Sequence, residues 1–190
     1  MKRQRIIDAA IQVFSRQGFY NATVADVASV ADVADGTIYL YFKSKDDLLI
    51  SIFEHSMEVF IGAAHEELAL AGDAREKLKK FIALHLKLVQ KNQDLAQVIQ
   101  IELRQSSKFM KEYANEKFFD YLGIVEAILK EGQSAGIFRA EADPVILKRA
   151  IFGAVDEMAL EWVLMKKKRY TMEEAAEQLG GMFIEGLVKA

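Results

Sequence analysis

Apolar residues recur every three or four positions along most of the 190-residue chain, which is the period of an amphipathic α-helix. The first such stretch places its apolar residues on one face before Gly18 ends it, and these residues are Ile7, Ala10, Ile11 and Phe14. The chain contains one proline and eleven glycines, so few residues interrupt the helical period. The pattern predicts an all-α protein of about nine helices.

Capping residues mark where several of these helices begin. Thr23 with Asp26, and Thr171 with Glu174, have the spacing of a capping box. The pair Asp143–Pro144 combines a capping side chain with proline at the first helical position. Two further helices are expected over about 92–107 and 109–135, and the second should stop at a glycine, residue 136.

The segment DGTIYLYF, residues 35–42, departs from the helical pattern, because a hairpin-turn dipeptide is followed by good strand formers. A strand here would leave its backbone groups unpaired, since the sequence offers no second strand candidate. Read as a helix, the segment turns Ala34, Ile38 and Phe42 to one face. The residues then left largely exposed are Asp35, Thr37, Tyr39 and Tyr41. We therefore predict a helix made of poor helix formers.

Charge and composition narrow the class of protein. The net charge is −3, but residues 1–45 carry six basic and four acidic groups, which permits a nucleic-acid contact near the N-terminus. The absence of cysteine excludes disulfides and thiolate metal sites. Acidic and polar residues interrupt both the N-terminal apolar run and the apolar stretch 151–165, so neither a signal peptide nor a membrane span is expected. A soluble cytoplasmic protein without a membrane partner is the expectation.

Three short helices, the last two separated by a turn at ADV, have the arrangement of a helix-turn-helix. The segment ATVADVASVADVADGTIYLYFKSKDDLL resembles the signature of TetR-family bacterial transcriptional repressors. Asp32 departs from the usual turn glycine, and Ala34 stands where serine often begins the recognition helix. The matching residues are Thr23, Ala31, Val33, Gly36, Thr37, Ile38, Tyr39, Tyr41, Phe42, Lys43 and Lys45. The resemblance implies a DNA-binding domain over 1–46 and an effector-binding and dimerisation domain over 47–190.

Seven residues are predicted to contact double-stranded DNA: Thr23, Gly36, Thr37, Tyr39, Tyr41, Lys43 and Lys45. Gly36 would allow close approach to the DNA backbone, and Thr37 can offer its methyl group to a thymine. The tyrosine hydroxyls and the lysine ammonium groups suit phosphates. The alternative for both tyrosines is packing within the three-helix core. Because residues 34–42 contain no arginine, we expect specificity from methyl contacts and DNA shape rather than from bidentate guanine contacts.

The helix expected from Asp143 is apolar around much of its circumference, and the segment LGGMFIEGLV follows near the C-terminus. The TetR resemblance implies a homodimer built from the last two helices of each subunit, and a two-fold dimer implies a palindromic operator. The predicted interface residues are Phe152, Val155, Ala159, Trp162, Phe183 and Leu187. Ordinary monomer core remains the alternative for these residues.

The middle helices could enclose an effector, because apolar stripes surround the polar segment IELRQS. The predicted effector residues are Phe60, Leu84, Leu88, Ile99, Leu103, Arg104, Phe119 and Leu122. Plain core is the alternative for each apolar member. Arg104 either pairs with a carboxylate of a neighbouring helix or meets an anionic group of the ligand.

Within the TetR family, the segments VADGTIYLYFKSKDDLLISIF, IELRQS and IFGAVDEMALEW resemble the FadR-type repressors of fatty-acid degradation. This resemblance implies a long-chain acyl-CoA inducer. No cofactor is expected. A multidrug- or antibiotic-responsive TetR-type repressor is the alternative, and a helical lipid carrier that does not bind DNA is the more distant one.

The sequence contains no nucleophile elbow, Gly-rich phosphate loop or carboxylate pair with a base, so no enzyme activity and no catalytic residue is expected. The three histidines, His55, His65 and His85, lack the spacing of metal ligands on a helix, and no metal site is expected. The basic run KKKR, residues 166–169, is either a solvated helix end or a second DNA contact.

Overall fold

The computed structural model describes residues 2–106, 108–109 and 116–188, and these ranges contain nine helices. Eight are regular: α1 (Lys2–Gln17), α2 (Val24–Val30), α3 (Asp35–Tyr39), α4 (Lys45–Ala69), α5 (Ala74–Lys91), α7 (Glu116–Ser134), α8 (Pro144–Leu164) and α9 (Met172–Leu187). Helix α6 begins as Gln93–Gln97, continues as a π-helix over Val98–Glu102 and ends with Leu103–Gln105. In the described residues the β-pairing consists of one isolated bridge, between Phe138 and Val188. The predicted all-α class is confirmed.

The capping residues act as the sequence predicts. The Thr23 hydroxyl accepts from the backbone N–H of Asp26, and the Asp26 carboxylate accepts from the backbone N–H of Thr23 at 2.8 Å. These bonds to Thr23 lower the pKa of Asp26. Thr171 and Glu174 form the same capping box at the start of α9. Local spacing therefore fixes where α2 and α9 begin.

The two helices predicted over 92–107 and 109–135 are only partly open to comparison, since residues 107 and 110–115 lie outside the described ranges. Asn92 occupies the N-cap position of α6, but its side chain makes no capping hydrogen bond. Helix α7 ends at Ser134, and Gly136 follows with a φ of 70°, in the left-handed region that glycine adopts easily. The predicted stop at this glycine is confirmed.

The chain forms two compact units. Unit 1 is built from residues 1–56 and 92–114, and unit 2 from residues 57–91 and 115–190. In unit 1, Phe14, Ile38 and Phe42 are buried, while the largest buried cluster of unit 2 centres on Phe81 and Tyr121. The predicted functional division after residue 46 stays a prediction. None of the described helices is sufficiently long and apolar to span a membrane.

Candidate DNA-reading surface and effector-binding core

The turn between α2 and α3 depends on the backbone of Asp32. Its φ is 50°, in the left-handed region where the TetR signature usually has glycine. Aspartate tolerates this region better than most residues, so the substitution keeps the turn. The backbone N–H of Val33 donates to the carbonyl of Ala28 at 3.1 Å, and Arg5 donates to the carbonyl oxygen of Asp32 at 3.0 Å. The turn is therefore hydrogen-bonded both to α2, through Ala28, and to α1, through Arg5.

The segment predicted as a helix over 35–42 is helical over Asp35–Tyr39, and Leu40 and Tyr41 follow in a turn. Helix α3 and this turn present the residues that the sequence predicts to be exposed. Ile38 and Phe42 are buried and fix α3 to the core of unit 1. Tyr39 and Tyr41 are 58% and 43% exposed, so neither residue is part of that core. A Cβ added at Gly36 would have no heavy atom within 4 Å, so the protein itself does not require glycine there. These features suit a DNA-reading surface, and the DNA contacts of these residues remain predictions.

Leu40 is a member of this surface that the sequence prediction omitted. This residue is 81% exposed, although leucine usually contributes to a core. The helical period contains the signal, because Leu40 follows the buried Ile38 by two residues and so lies about 200° around the helix from it. An exposed aliphatic side chain beside Tyr39 and Tyr41 can contact a thymine methyl group.

The two predicted phosphate-binding lysines differ in their surroundings. Lys43 is exposed, and its backbone N–H donates to the Asp47 carboxylate at 2.7 Å. The Lys45 ammonium donates to the carbonyl oxygens of Phe19, Tyr20 and Ala22 at 2.7, 3.2 and 2.9 Å. An ammonium has three N–H donors, so these bonds use all of them. Lys45 therefore holds the turn between α1 and α2, a role that sequence reasoning did not identify.

Thr23 is exposed at the start of α2, on the surface predicted to face DNA. Its hydroxyl donates to the Asp26 carboxylate at 2.6 Å and also accepts from the backbone N–H of that residue. The hydroxyl therefore serves the capping box, and a contact of Thr23 with DNA stays a prediction.

The predicted effector residues fall in both units. In unit 2, Phe60, Leu84 and Leu122 belong to the buried core, Leu88 packs against it, and Phe119 is 58% exposed. In unit 1, Ile99 is half-buried, Leu103 is buried, and Arg104 is exposed and donates to the side-chain oxygen of Gln100 at 2.8 Å. The exposure of Phe119 argues against a lining role for that residue. The effector roles of the remaining residues stay predictions.

The core of unit 2 contains a cluster of aromatic rings with one polar pair. The ring centroids of Phe60 and Phe81 lie 5.0 and 5.1 Å from that of Tyr121. His85 Nδ1 lies 3.0 Å from the Tyr121 hydroxyl. Burial lowers the pKa of His85 to about 4, against a smaller raising effect from the charge of Asp156, and burial also raises the pKa of Tyr121. The His85 imidazole and the Tyr121 hydroxyl are therefore both neutral near pH 7, and they can hydrogen-bond to an uncharged polar group.

The predicted dimer residues lie mainly in the interior of unit 2. Val155, Ala159 and Trp162 occupy positions i, i+4 and i+7 of α8, and this face packs into the chain's own core. Leu187 is buried, and Phe152 and Phe183 are half-buried against the same core. The large apolar residues that α8 and α9 expose are Val145, Ile146, Leu164 and Met182. Any interface formed by α8 and α9 in this conformation would use these exposed positions first.

The basic run 166–169 follows the end of α8. The Lys168 ammonium lies 4.4 Å from the centre of the Trp162 ring and donates to the Trp162 carbonyl oxygen. Lys168 thus satisfies a carbonyl near the end of α8 and covers an aromatic face. Among the residues that the structure describes, no three His, Asp or Glu side chains are grouped as metal ligands.

Two family models match the chain. Residues 6–52 match the model described as bacterial regulatory proteins of the tetR family, and residues 53–186 match the model described as the C-terminal region of YsiA-like proteins. The fatty acid metabolism regulator protein of Bacillus subtilis strain 168 is 37% identical over 186 residues, which span 98% of this chain and 95% of the relative.

Two solved structures have nearly the same fold. The fatty acid degradation regulator FadR from Bacillus halodurans has a TM-score of 0.91 and 37% identity, over 97% of this chain and 95% of that one. FadR from Bacillus subtilis, solved in complex with stearoyl-CoA, has a TM-score of 0.90 and 37% identity, over 96% and 98% of the two chains. Together with the helix-turn-helix geometry of α2 and α3, these matches show that the chain belongs to the TetR family of bacterial transcriptional regulators.

Proposed function

We propose that this protein is a DNA-binding repressor of fatty-acid degradation genes, and that a long-chain acyl-CoA releases it from its operator. The observation that carries the proposal is the 37% identity, over nearly the full length, to FadR of Bacillus subtilis, which was solved with stearoyl-CoA. We also propose that the protein is cytoplasmic, because an operator on bacterial DNA lies in the cytoplasm.

The exposed residues of α3 suggest how the protein recognises its operator. Tyr39 is the last residue of α3, Leu40 and Tyr41 follow in the turn after it, and residues 34–42 contain no arginine. Tyrosine hydroxyls can position the helix on phosphates, while Leu40 and the methyl group of Thr37 can contact thymines. We therefore expect an AT-containing half-site that is recognised by methyl contacts and DNA shape.

We further propose that the repressor acts as a homodimer through α8 and α9. Their exposed residues Ile146, Leu164 and Met182 offer apolar surface that one chain leaves uncovered. A two-fold dimer carries two reading helices, so its operator should be palindromic, with half-sites a whole number of helical turns apart.

An acyl-CoA ligand agrees with the chemistry of unit 2. An acyl chain gains about 0.8 kcal/mol for each CH₂ group that it buries, so a long chain needs a large apolar interior. The aromatic core around Phe81 and Tyr121 provides apolar surroundings, and the neutral pair of His85 and Tyr121 can hydrogen-bond to an uncharged carbonyl. A carbonyl of this kind is present in the thioester of acyl-CoA.

The proposal is tested by adding acyl-CoAs of graded chain length to the protein bound to an operator, selected as double-stranded DNA from a random library. Stearoyl-CoA should release the DNA, whereas butyryl-CoA and free CoA at the same concentration should not. Release by cationic drugs without any effect of stearoyl-CoA would instead identify a drug-responsive repressor. Binding of stearoyl-CoA without binding of any DNA would identify a lipid carrier.

A further inference from the structure

The turn between α1 and α2, residues 18–22, is held from two sides by side chains of opposite charge. The Lys45 ammonium binds three of its carbonyl oxygens. The Glu102 carboxylate accepts from the backbone N–H of Phe19 at 2.7 Å, although the two residues are 83 positions apart in the sequence. All of these residues belong to unit 1.

The Glu102 side chain is buried, unlike most carboxylates. The residue is only 7% exposed, and a carboxylate at such a depth is costly to desolvate unless it accepts hydrogen bonds. Its oxygens also lie 3.6 and 3.9 Å from the position of a Cβ added at Gly18, where φ is 79°. The turn therefore offers Glu102 an N–H donor, and Gly18 serves the positive φ of the turn rather than space for the carboxylate.

Glu102 is the last residue of the π-helical part of α6. A π-turn contains one residue more than an α-turn, and such turns occur often at functional sites. Restoring α-helical geometry would move the residues at its end by about 100° around the axis and about 1.5 Å along it. That movement would take the Glu102 carboxylate away from Phe19.

Two more hydrogen bonds connect α6 to the same part of unit 1. The Tyr20 hydroxyl donates to the backbone carbonyl of Gln105 at 2.8 Å, and the Ser106 hydroxyl donates to the Asp46 carboxylate at 3.1 Å. The end of α6 thus contacts residues that come before α2 and residues that come after α3. Neither contact uses a side chain exposed on the DNA-reading surface.

We propose that Glu102 is a positioning residue for operator recognition: through the Phe19 amide, it holds α2 and α3 in the arrangement that binds DNA, without touching DNA itself. The Glu102–Phe19 hydrogen bond then belongs to the operator-binding state and is weakened in the state that the effector favours. This second statement rests on the proposed function, because it takes acyl-CoA as the effector.

The experiment compares Glu102→Ala, Glu102→Gln and the matched control Gln105→Ala in the full-length protein. Gln105 is exposed near Glu102, and its hydrogen bond to Tyr20 uses the backbone, which the control keeps. Three quantities are measured for each: the operator Kd, the Kd for stearoyl-CoA without DNA by calorimetry, and Tm.

Glu102→Ala should weaken operator binding about tenfold and should leave stearoyl-CoA binding equal or tighter, because binding linkage is reciprocal. Glu102→Gln keeps an acceptor oxygen and should restore most of the operator affinity, and the control should match the wild type. Operator affinity of Glu102→Ala within twofold of wild type overturns the proposal. Loss of operator binding and stearoyl-CoA binding together, with a lower Tm and no rescue by glutamine, also overturns it.

The same measurements test the acyl-CoA assignment independently of the role of Glu102. If the wild type binds its operator but not stearoyl-CoA, the acyl-CoA assignment fails. The operator affinities of Glu102→Ala and Glu102→Gln would still decide whether Glu102 positions the DNA-binding helices.

Discussion

Lys45 Nζ lies 2.7 Å from the carbonyl oxygen of Phe19 and 4.6 Å from the centre of the Phe19 ring, so one ammonium group holds both the backbone and the side chain of the same residue. Lys45→Met should therefore destabilise the protein by about 1–3 kcal/mol, since the half-buried carbonyls of Phe19 and Ala22 lose a charged donor. The slope of log K against log salt for operator binding should stay as in the wild type, because the three N–H donors of the ammonium are used within the protein.

Substitution of Lys43 is the matched comparison for Lys45→Met, since Lys43 is exposed and lies shortly after α3. Lys43→Met should leave the free energy of unfolding almost unchanged and reduce the salt slope by about one per subunit. Urea unfolding and operator titrations at several salt concentrations measure both effects. A reduced slope for the Lys45 variant at unchanged stability would show that Lys45 contacts phosphate instead.

Gly36→Ala should raise stability and lower operator affinity at the same time. Alanine is favoured over glycine in a helix by about 1 kcal/mol, and the space around Gly36 can accept the methyl group. The operator Kd should increase because the added methyl group separates α3 from the DNA backbone. Gly62→Ala in α4 is the control, because its added Cβ is equally free of neighbours; it should raise Tm and leave the operator Kd unchanged.

Asp32 should be replaceable by glycine but not by alanine. Its φ of 50° is open to glycine without strain, whereas alanine there costs about 1 kcal/mol. Asp32→Gly should have a free energy of unfolding close to that of the wild type, and Asp32→Ala should be less stable by about 1 kcal/mol in urea titrations. Equal stabilities of these two variants would mean that the turn relaxes to a negative φ.

Acidification should destabilise the protein through His85. Its pKa is lowered to about 4 in the folded protein, so between about pH 6.5 and 4 the unfolded chain binds more protons. The free energy of unfolding therefore falls as pH decreases through this window, by at most about 3 kcal/mol.

His85→Gln should remove most of this dependence when unfolding is compared at pH 7.5 and 4.5. The Glu126 carboxylate contributes little to this comparison, because hydrogen bonds from Lys130 and Lys148 lower its pKa to about 2 and most of its contribution is lost below pH 4.5. The same loss of stability in both proteins would show that His85 is freely protonated in the folded state.

Met182→Glu should weaken the proposed dimer, because Met182 is an exposed apolar residue of α9. A carboxylate buried at an interface without a partner is costly to desolvate, so the dimer Kd should increase at least tenfold. Leu70→Glu is the control, since Leu70 is also exposed but lies outside α8 and α9. Analytical ultracentrifugation distinguishes the two, and an unchanged dimer Kd for Met182→Glu would exclude this face of α9.

Features that depend on neighbouring residues in the sequence could be predicted before the structure was known. The capping boxes at Thr23 and Thr171 each join residues three positions apart, so spacing alone identifies them. The burial of Ile38 and the exposure of Tyr39 follow from the helical period once the segment is taken as a helix.

Features that depend on distant residues could not be predicted in this way. Lys45 and Phe19 are 26 positions apart, and the sequence shows only that Lys45 is a basic residue near the reading helix. Helix α8 is apolar around most of its circumference, so its sequence does not distinguish the face that packs inward through Trp162 from the face left exposed at Ile146.

The position of α6 within unit 1 has a consequence for synthesis on the ribosome. Residues 1–56 emerge well before residues 102–106, which supply the contacts to Phe19, Tyr20 and Asp46. Because translation adds about 5–20 residues per second, the nascent helix-turn-helix lacks the contacts from residues 102–106 for several seconds. A chain whose translation stops before residue 102 therefore lacks part of its DNA-binding unit, and such truncated products should not compete with the complete repressor for the operator.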